Sequence, residues 1–414
     1  MRVRASFLTK TKTGDRAEDI ADDRTAIITL APNWFFYLFS KIELNAASEQ
    51  LECIDKPGEC MDIICHLKGL DFRDKNGENI GFIPDEGSGT AVYKKAVVAP
   101  TIAGDATGAA AATALLTATN TAIGTDVNNG YQRRYKKYNY SVTANDTART
   151  VELFIPNSML FGYCDTYDMV TKFMPYTLEL TRKSNTDIAN AVFGATNITM
   201  DLNLTELTWI LDTYEPKPEL ALALDKRFES GPLAVNYLSR YISSVTSDQQ
   251  VTRITETRFS QPRYLFIAIK GTTGAANQTG ITANYSLCRH ANVQDIRVSL
   301  DNKWYPDKSY NTDFLHNQYS HFYDTYCNIC EMFSGSCGMT SRDFKKLYTI
   351  FCVDLSDQKD KLPNSITNLT IEISRRDRGL DTTAFNPRNL EIFYLVLDEH
   401  HYHLDCIKKT CVKV

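Results

Sequence analysis

The side chains with most chemical capacity in this chain are thiols and imidazoles. Cys327-Asn328-Ile329-Cys330 is a CxxC with Cys337 close behind, and His400, His401 and His403 form the run HHYH ahead of Cys406 and Cys411. A structural zinc site needs four ligands in a tetrahedral array, and a CxxC supplies two of them. On a strand, alternate side chains share a face, so His401 and His403 point the same way, as two ligands of a copper or zinc ion would. A third ligand must come from elsewhere. The other imidazoles, His66, His290, His316 and His321, are scattered through the sequence, and His numbers only 7 in all. No GxSxG, no GxxxxGK[ST] and no HExxH occurs, so a nucleophile elbow, a phosphate-cradling loop and a zincin helix are not expected. The expectation is therefore no enzyme, no cofactor and no metal. The 11 cysteines read as small buried thiols of a β-core, with metal binding or a disulfide left open at Cys327 and Cys330.

The elements that position these residues are strands. Hydrophobic residues make up 43% of the 414, and 22 Tyr and 20 Phe raise the aromatic share to 11%, a composition that favours β-structure. Ile42 and Leu44 alternate with polar neighbours, as do Val151, Leu153 and Ile155, Leu178 and Leu180, Ile198 through Leu204, and Ile296, Val298 and Leu300. Each such run is a half-buried strand. Further strands are expected around Tyr241 and Ile254, over the apolar run 263–271, and at 347–355, 368–376 and 390–404. Two helices interrupt them: Glu219 to Phe228, closed by Gly231-Pro232, and 317–335, with Tyr319, Phe322, Tyr323 and Tyr326 at helical spacing. A short helix around 109–116 fits the Ala-rich insertion at 101–126. Pro216 and Pro218 mark a boundary near the middle. The division is then an N-terminal arm over 1–25, a first domain over 26–215 and a second over 216–414.

Charge excludes some functions. The formal net charge is -5, which does not suit a surface built to neutralise phosphates. The one dense basic run, Arg133-Arg134-Tyr135-Lys136-Lys137, reads as a solvated strand edge or loop. Sequence-specific nucleic-acid binding is not expected. No run reaches the length of a membrane span, and the N-terminal stretch has no apolar core of signal-peptide type. Synthesis in the cytoplasm is the expectation.

Several stretches in a fixed order carry a resemblance. They are NWFFYLFSKIEL, NNGYQRRYKKYNYS, VELFIPNSMLFGYCDTYDMVTKFMPYTLELTRKSN, FSQPRYLFIAIKG and NVQDIRVSLDNKWYPDKSYNTDF, and they span about Asn33 to the C-terminus. This series resembles the double jelly-roll major capsid proteins of Polinton/Maverick-type elements and adintoviruses. The resemblance implies an all-β fold of two consecutive eight-stranded jelly rolls with a few short helices in loops. It further implies a structural protein of the virion that forms pseudo-hexagonal homotrimers, and these build an icosahedral lattice around a DNA genome. Partners would be other copies and other capsid proteins, such as a vertex protein.

Aromatic residues beside turns are the expected intersubunit contacts: Trp34, Phe35, Phe36, Trp304, Tyr305, Tyr319, Phe322 and Tyr323. Trp304 leads, because it follows the polar turn Asp301-Asn302 instead of lying inside an alternating strand. Two other readings fit paired β-sandwiches. Exposed Trp and Tyr beside Asp or Asn would suit a carbohydrate-binding protein, and the HHYH run would suit a metal-dependent double jelly-roll enzyme.

Overall fold

A computed structural model describes residues 1–12, 20–22, 28–69, 72–87, 128–138, 149–167, 170–183, 192–194, 198–271, 284–358, 366–376 and 390–414. The Ala-rich insertion and its expected helix at 109–116 lie outside the described residues.

The second half shows its architecture most fully. Eight strands run in order: β10 (Leu233–Ser247), β11 (Val251–Phe259), β12 (Pro262–Gly271), β13 (Val293–Leu300), β14 (Lys303–Tyr305), β15 (Ile350–Asp354), β16 (Thr367–Arg375) and β17 (Leu390–Asp405). They form one sheet ordered β10-β17-β12-β15 and a second ordered β11-β16-β13-β14; β18 (Thr410–Lys413) adds to β17. Apart from the hairpin β13–β14, successive strands thus cross between two facing sheets, which is the winding of a jelly roll. Alternation supplies the core between them: Leu369, Ile371 and Ile373 of β16 face Leu265, Ile267 and Ile269 of β12, all buried.

The first half repeats this order. β1 (Arg2–Lys12) lies between β9 (Ile198–Thr208) and β6 (Arg149–Phe154), with β2 (Ile20–Asp22) beside its far end. The facing sheet is β5-β4-β7, from β4 (Phe39–Ala46), β5 (Glu49–Asp55) and β7 (Tyr176–Arg182). A short pair joins β3 (Ile28–Leu30) to β8 (Val192–Gly194). Chain order and antiparallel partners of β1, β4, β5, β6, β7 and β9 match those of β12, β13, β14, β15, β16 and β17. Counterparts of β10 and β11 are not among the described residues of the first roll.

Three sequence expectations change. Residues 2–12, read as part of an arm, form the central strand β1, hydrogen-bonded on both sides. Its Arg2 and Arg4 drew attention as charge, but Val3, Ala5 and Phe7 alternate with them and are buried. The basic run is neither a strand edge nor a loop. It lies in helix α3 (Asn129–Tyr138), whose buried Tyr131, Arg134 and Tyr138 recur at helical spacing. A third helix was not expected. α2 (Pro57–Leu67) is buried at all eleven positions, and its polar Glu59, Asp62 and His66, at helical spacing, face the interior instead of solvent. The two expected helices are present as α4 (Pro218–Glu229) and α5 (Ser320–Ser334).

Because β1 is central, Phe7→Ala will lower the unfolding free energy by about 3–5 kcal/mol in a denaturant titration. The same truncation in a solvated arm would stay within about 0.5 kcal/mol.

Candidate functional site

The junction between the two rolls is built from buried polar groups. Lys270 ends β12, a strand otherwise apolar because both its faces are covered. Its ammonium lies 3.2 Å from the Asp62 carboxylate of α2, and both side chains are almost wholly buried. Lys270 also donates to the Tyr37 hydroxyl at 3.0 Å, and its Nζ sits 4.3 Å from the centre of the Tyr285 ring. Tyr37, from helix α1 (Trp34–Tyr37), donates to the other side of the same carboxylate oxygen, and Asn33 donates to Oδ1 at 3.1 Å. Burial is the largest single effect and works against the ammonium, but the charge and hydrogen bond of Asp62 together with nearby Cys288 and Glu59 hold the Lys270 pKa above its ordinary value. Tyr285 donates to Glu59 at 3.2 Å and extends the network along α2.

Two further clusters cross the same junction. Arg134 of α3 pairs with Asp85 at 2.6 Å, both side chains fully buried. Asp85 accepts from Asn128 at 2.8 Å and from Asn284, and its backbone N–H donates to the Tyr348 hydroxyl at 2.7 Å. Asn284 and Tyr348 belong to the second roll. On the other flank, the Arg240 guanidinium of β10 donates to the Met159 carbonyl at 2.7 Å, and its backbone N–H donates to Glu52 at 2.9 Å. Tyr326 of α5 donates to the His66 carbonyl at 2.6 Å.

Most of the aromatic residues proposed as contacts serve the chain's own core. Trp34, Phe35, Phe36 and Phe322 are buried, with Phe35 edge-on to Phe39 and Phe322 edge-on to Phe351. Tyr305 is buried as well. Tyr319 and Tyr323 are half-buried against Phe344. Trp304 keeps part of its surface, with the Arg297 guanidinium 4.7 Å from its ring centre. The turn before it is a two-residue hairpin loop in which Asp301 and Asn302 both have positive φ, the conformation that short hairpins require.

The metal-binding possibilities separate in space. His401 Nδ1 donates to Asn236 Oδ1, 2.8 Å away, His400 meets Asp398, and His403 is exposed. Cys330 is buried against the junction, while Cys327 faces Cys337. Among the described residues, no cluster of three or more His, Cys, Asp or Glu is arranged to hold a metal ion.

An exposed apolar stretch was missed in the sequence. Leu207, Ile210, Leu211, Tyr214, Leu220 and Leu222 follow one another from the end of β9 through the linker into α4, with Tyr214 78% and Leu222 64% exposed. One signal was available: leucines at 220, 222 and 224 cannot all lie on one helical face.

The family described as double jelly roll-like domain matches residues 119–386, and the chain belongs to it. Among solved structures, a chain of the Sputnik virophage aligns with TM-score 0.57 at 10% identity, covering 100% of this chain and 81% of that one. The Faustovirus major capsid protein aligns at TM-score 0.47 and 10% identity, covering 97% and 84%. The mavirus major capsid protein aligns at 0.41 and 10%, covering 100% and 83%. No curated protein matches the sequence. No helix among the described residues is long and apolar enough to cross a membrane.

Two outcomes follow from the junction. Lys270→Met will cost about 3–5 kcal/mol in denaturant unfolding, because Asp62 is left charged and unpaired; in an Asp62→Asn background the same change will cost less. His66 supplies a pH effect. Burial lowers its pKa from 6.5 to about 4. Its Nδ1 meets the Asp62 carbonyl at 2.6 Å and its Nε2 has no partner among the described residues, so the neutral ring fits and the cation does not. The unfolded chain therefore binds the extra proton first as pH falls. Its contribution is complete above pH 6.5 and is lost progressively down to pH 4, by about 3 kcal/mol in all. His66→Gln will flatten that segment of the stability–pH curve.

Proposed function

We propose that this chain is a major capsid protein: a structural subunit of the virion that forms homotrimers of pseudo-hexagonal outline, which tile an icosahedral shell around a DNA genome. The observation that carries this reading is the locking of two jelly rolls of matching strand order into one block by the buried groups around Lys270 and Asp62. A paired block gives a trimer six similar lobes, so a threefold object can occupy near-sixfold positions. The likeness of fold to a virophage chain supports it, as does the resemblance to Polinton-type capsid proteins. In this reading the rolls divide near residue 215, the protein performs no catalysis, and its partners are other copies and a vertex protein.

The contact surface is the exposed apolar stretch from Leu207 to Leu222, with Trp304 as a separate contact. Large exposed apolar side chains in succession mark surfaces that another molecule covers, and obligate interfaces are the most apolar of these. Mass measurement of the smallest stable oligomer, with electron microscopy of the purified protein, tests this. Trimers or shells are expected, and Leu220→Asp with Leu222→Asp will leave folded monomers. A stable monomer that binds glycans or turns over a small molecule would overturn the proposal.

A further inference from the structure

The open question at the CxxC resolves differently from its sequence spacing. Cys327 is two turns before the end of α5. Gly335, at φ 75°, reverses the chain there and lays residues 336–339 back along the helix. The Tyr323 hydroxyl donates to the Met339 carbonyl at 3.0 Å and fixes the returning segment. This places the sulfurs of Cys327 and Cys337 in contact at 2.6 Å, both thiols half-buried. A covalent pair sits at about 2.05 Å, so only a small approach separates this contact from a bond. Cys330, the other half of the CxxC, is buried with its sulfur directed to the His66 carbonyl, 3.9 Å away.

We propose that Cys327 and Cys337 form a disulfide when the protein meets a disulfide oxidant such as oxidised glutathione. The Cys337 thiolate attacks one glutathione sulfur and releases one glutathione thiol. The Cys327 thiolate then attacks the mixed disulfide at Cys337 and releases the second. Two protein thiols lose two protons and two electrons, and one glutathione disulfide becomes two glutathione thiols.

The bond bears on the junction because residues 334–338 clasp α2. Ser334 accepts from the Gly69 N–H at 2.7 Å, and a Cβ at Gly338 would lie 2.7 Å from the His66 carbonyl, so this segment rests directly on the first roll. Closing the short loop from 327 to 337 removes freedom from the unfolded chain and fixes the clasp to its helix. The inference does not depend on shell assembly.

The test uses the full chain, reduced and then equilibrated with oxidised and reduced glutathione. Free thiols are alkylated, and peptides are mapped by mass spectrometry without reductant. The expected product is a peptide pair joined through Cys327 and Cys337 and lighter by two hydrogens, with Cys330 alkylated after unfolding. The oxidised protein should melt about 3 °C above the reduced one. Cys337→Ser should abolish that difference, and Cys330→Ser should preserve it. Recovery of Cys327 and Cys337 both alkylated after oxidation, or of Cys327 joined to Cys330 or to another chain, would overturn the proposal.

Discussion

The structure depends on one buried ion pair and the groups that satisfy it. Lys270 and Asp62 come from different rolls and are both out of water. A charge so placed is costly unless its partner and its hydrogen bonds are all present. Here Asp62 receives Lys270, Tyr37 and Asn33 together. That requirement acts as a register. Any rotation of one roll against the other that breaks the pair leaves a charge in an apolar surround, while an apolar junction of equal area would tolerate sliding. Asp85 repeats the constraint at a second point, where it meets Asn284 and Tyr348 of the second roll, and two separated points fix an orientation.

The same requirement explains the fully buried helix. α2 does not face solvent at any position, and its polar residues are spent on the junction: Glu59 on Tyr285, Asp62 on Lys270, and the His66 carbonyl on Tyr326. In a helix with such a role the polar stripe of Glu59, Asp62 and His66 marks an internal network and not a solvent face. The strands were legible for the opposite reason. Ile42 and Leu44, or Leu369, Ile371 and Ile373, face a single core from a sheet with one covered side, and period two records that. The 414 residues therefore declare their sandwiches but not what holds them together. Lys270 closing an apolar run, and Asp62 inside CMDIIC, were the only local marks of the junction, and each partner lies about two hundred residues away in sequence. The arm reading of the first residues failed where charge was weighed over alternation.

Comparing the rolls separates core from surface. Leu369, Ile371 and Ile373 of β16, flanked in its sheet by β11 and β13, are buried, whereas Leu178 and Leu180 of the matching β7 are only half-buried. Among the described residues, β4 is the one strand beside β7, and β1 the one long neighbour of β9. Leu207 at the end of β9 is exposed. Among the described residues, the strand that matches β16 is thus less covered in the first roll than in the second.

That asymmetry bears on where assembly contacts can lie. A subunit that must remain rigid cannot spend its core aromatics on neighbours, and Trp34, Phe35, Phe36 and Phe322 are committed to holding helices and sheets together. Exposed apolar side chains recur in succession through the linker and α4, which join the two sandwiches in sequence. Only Phe228 of α4 is buried. Such an element can change its partners without disturbing either roll. Shape and exposed apolar surface thus rest on separate residues: polar groups inside the junction set the shape of the block, and the leucines of the linker and α4 lie outside it.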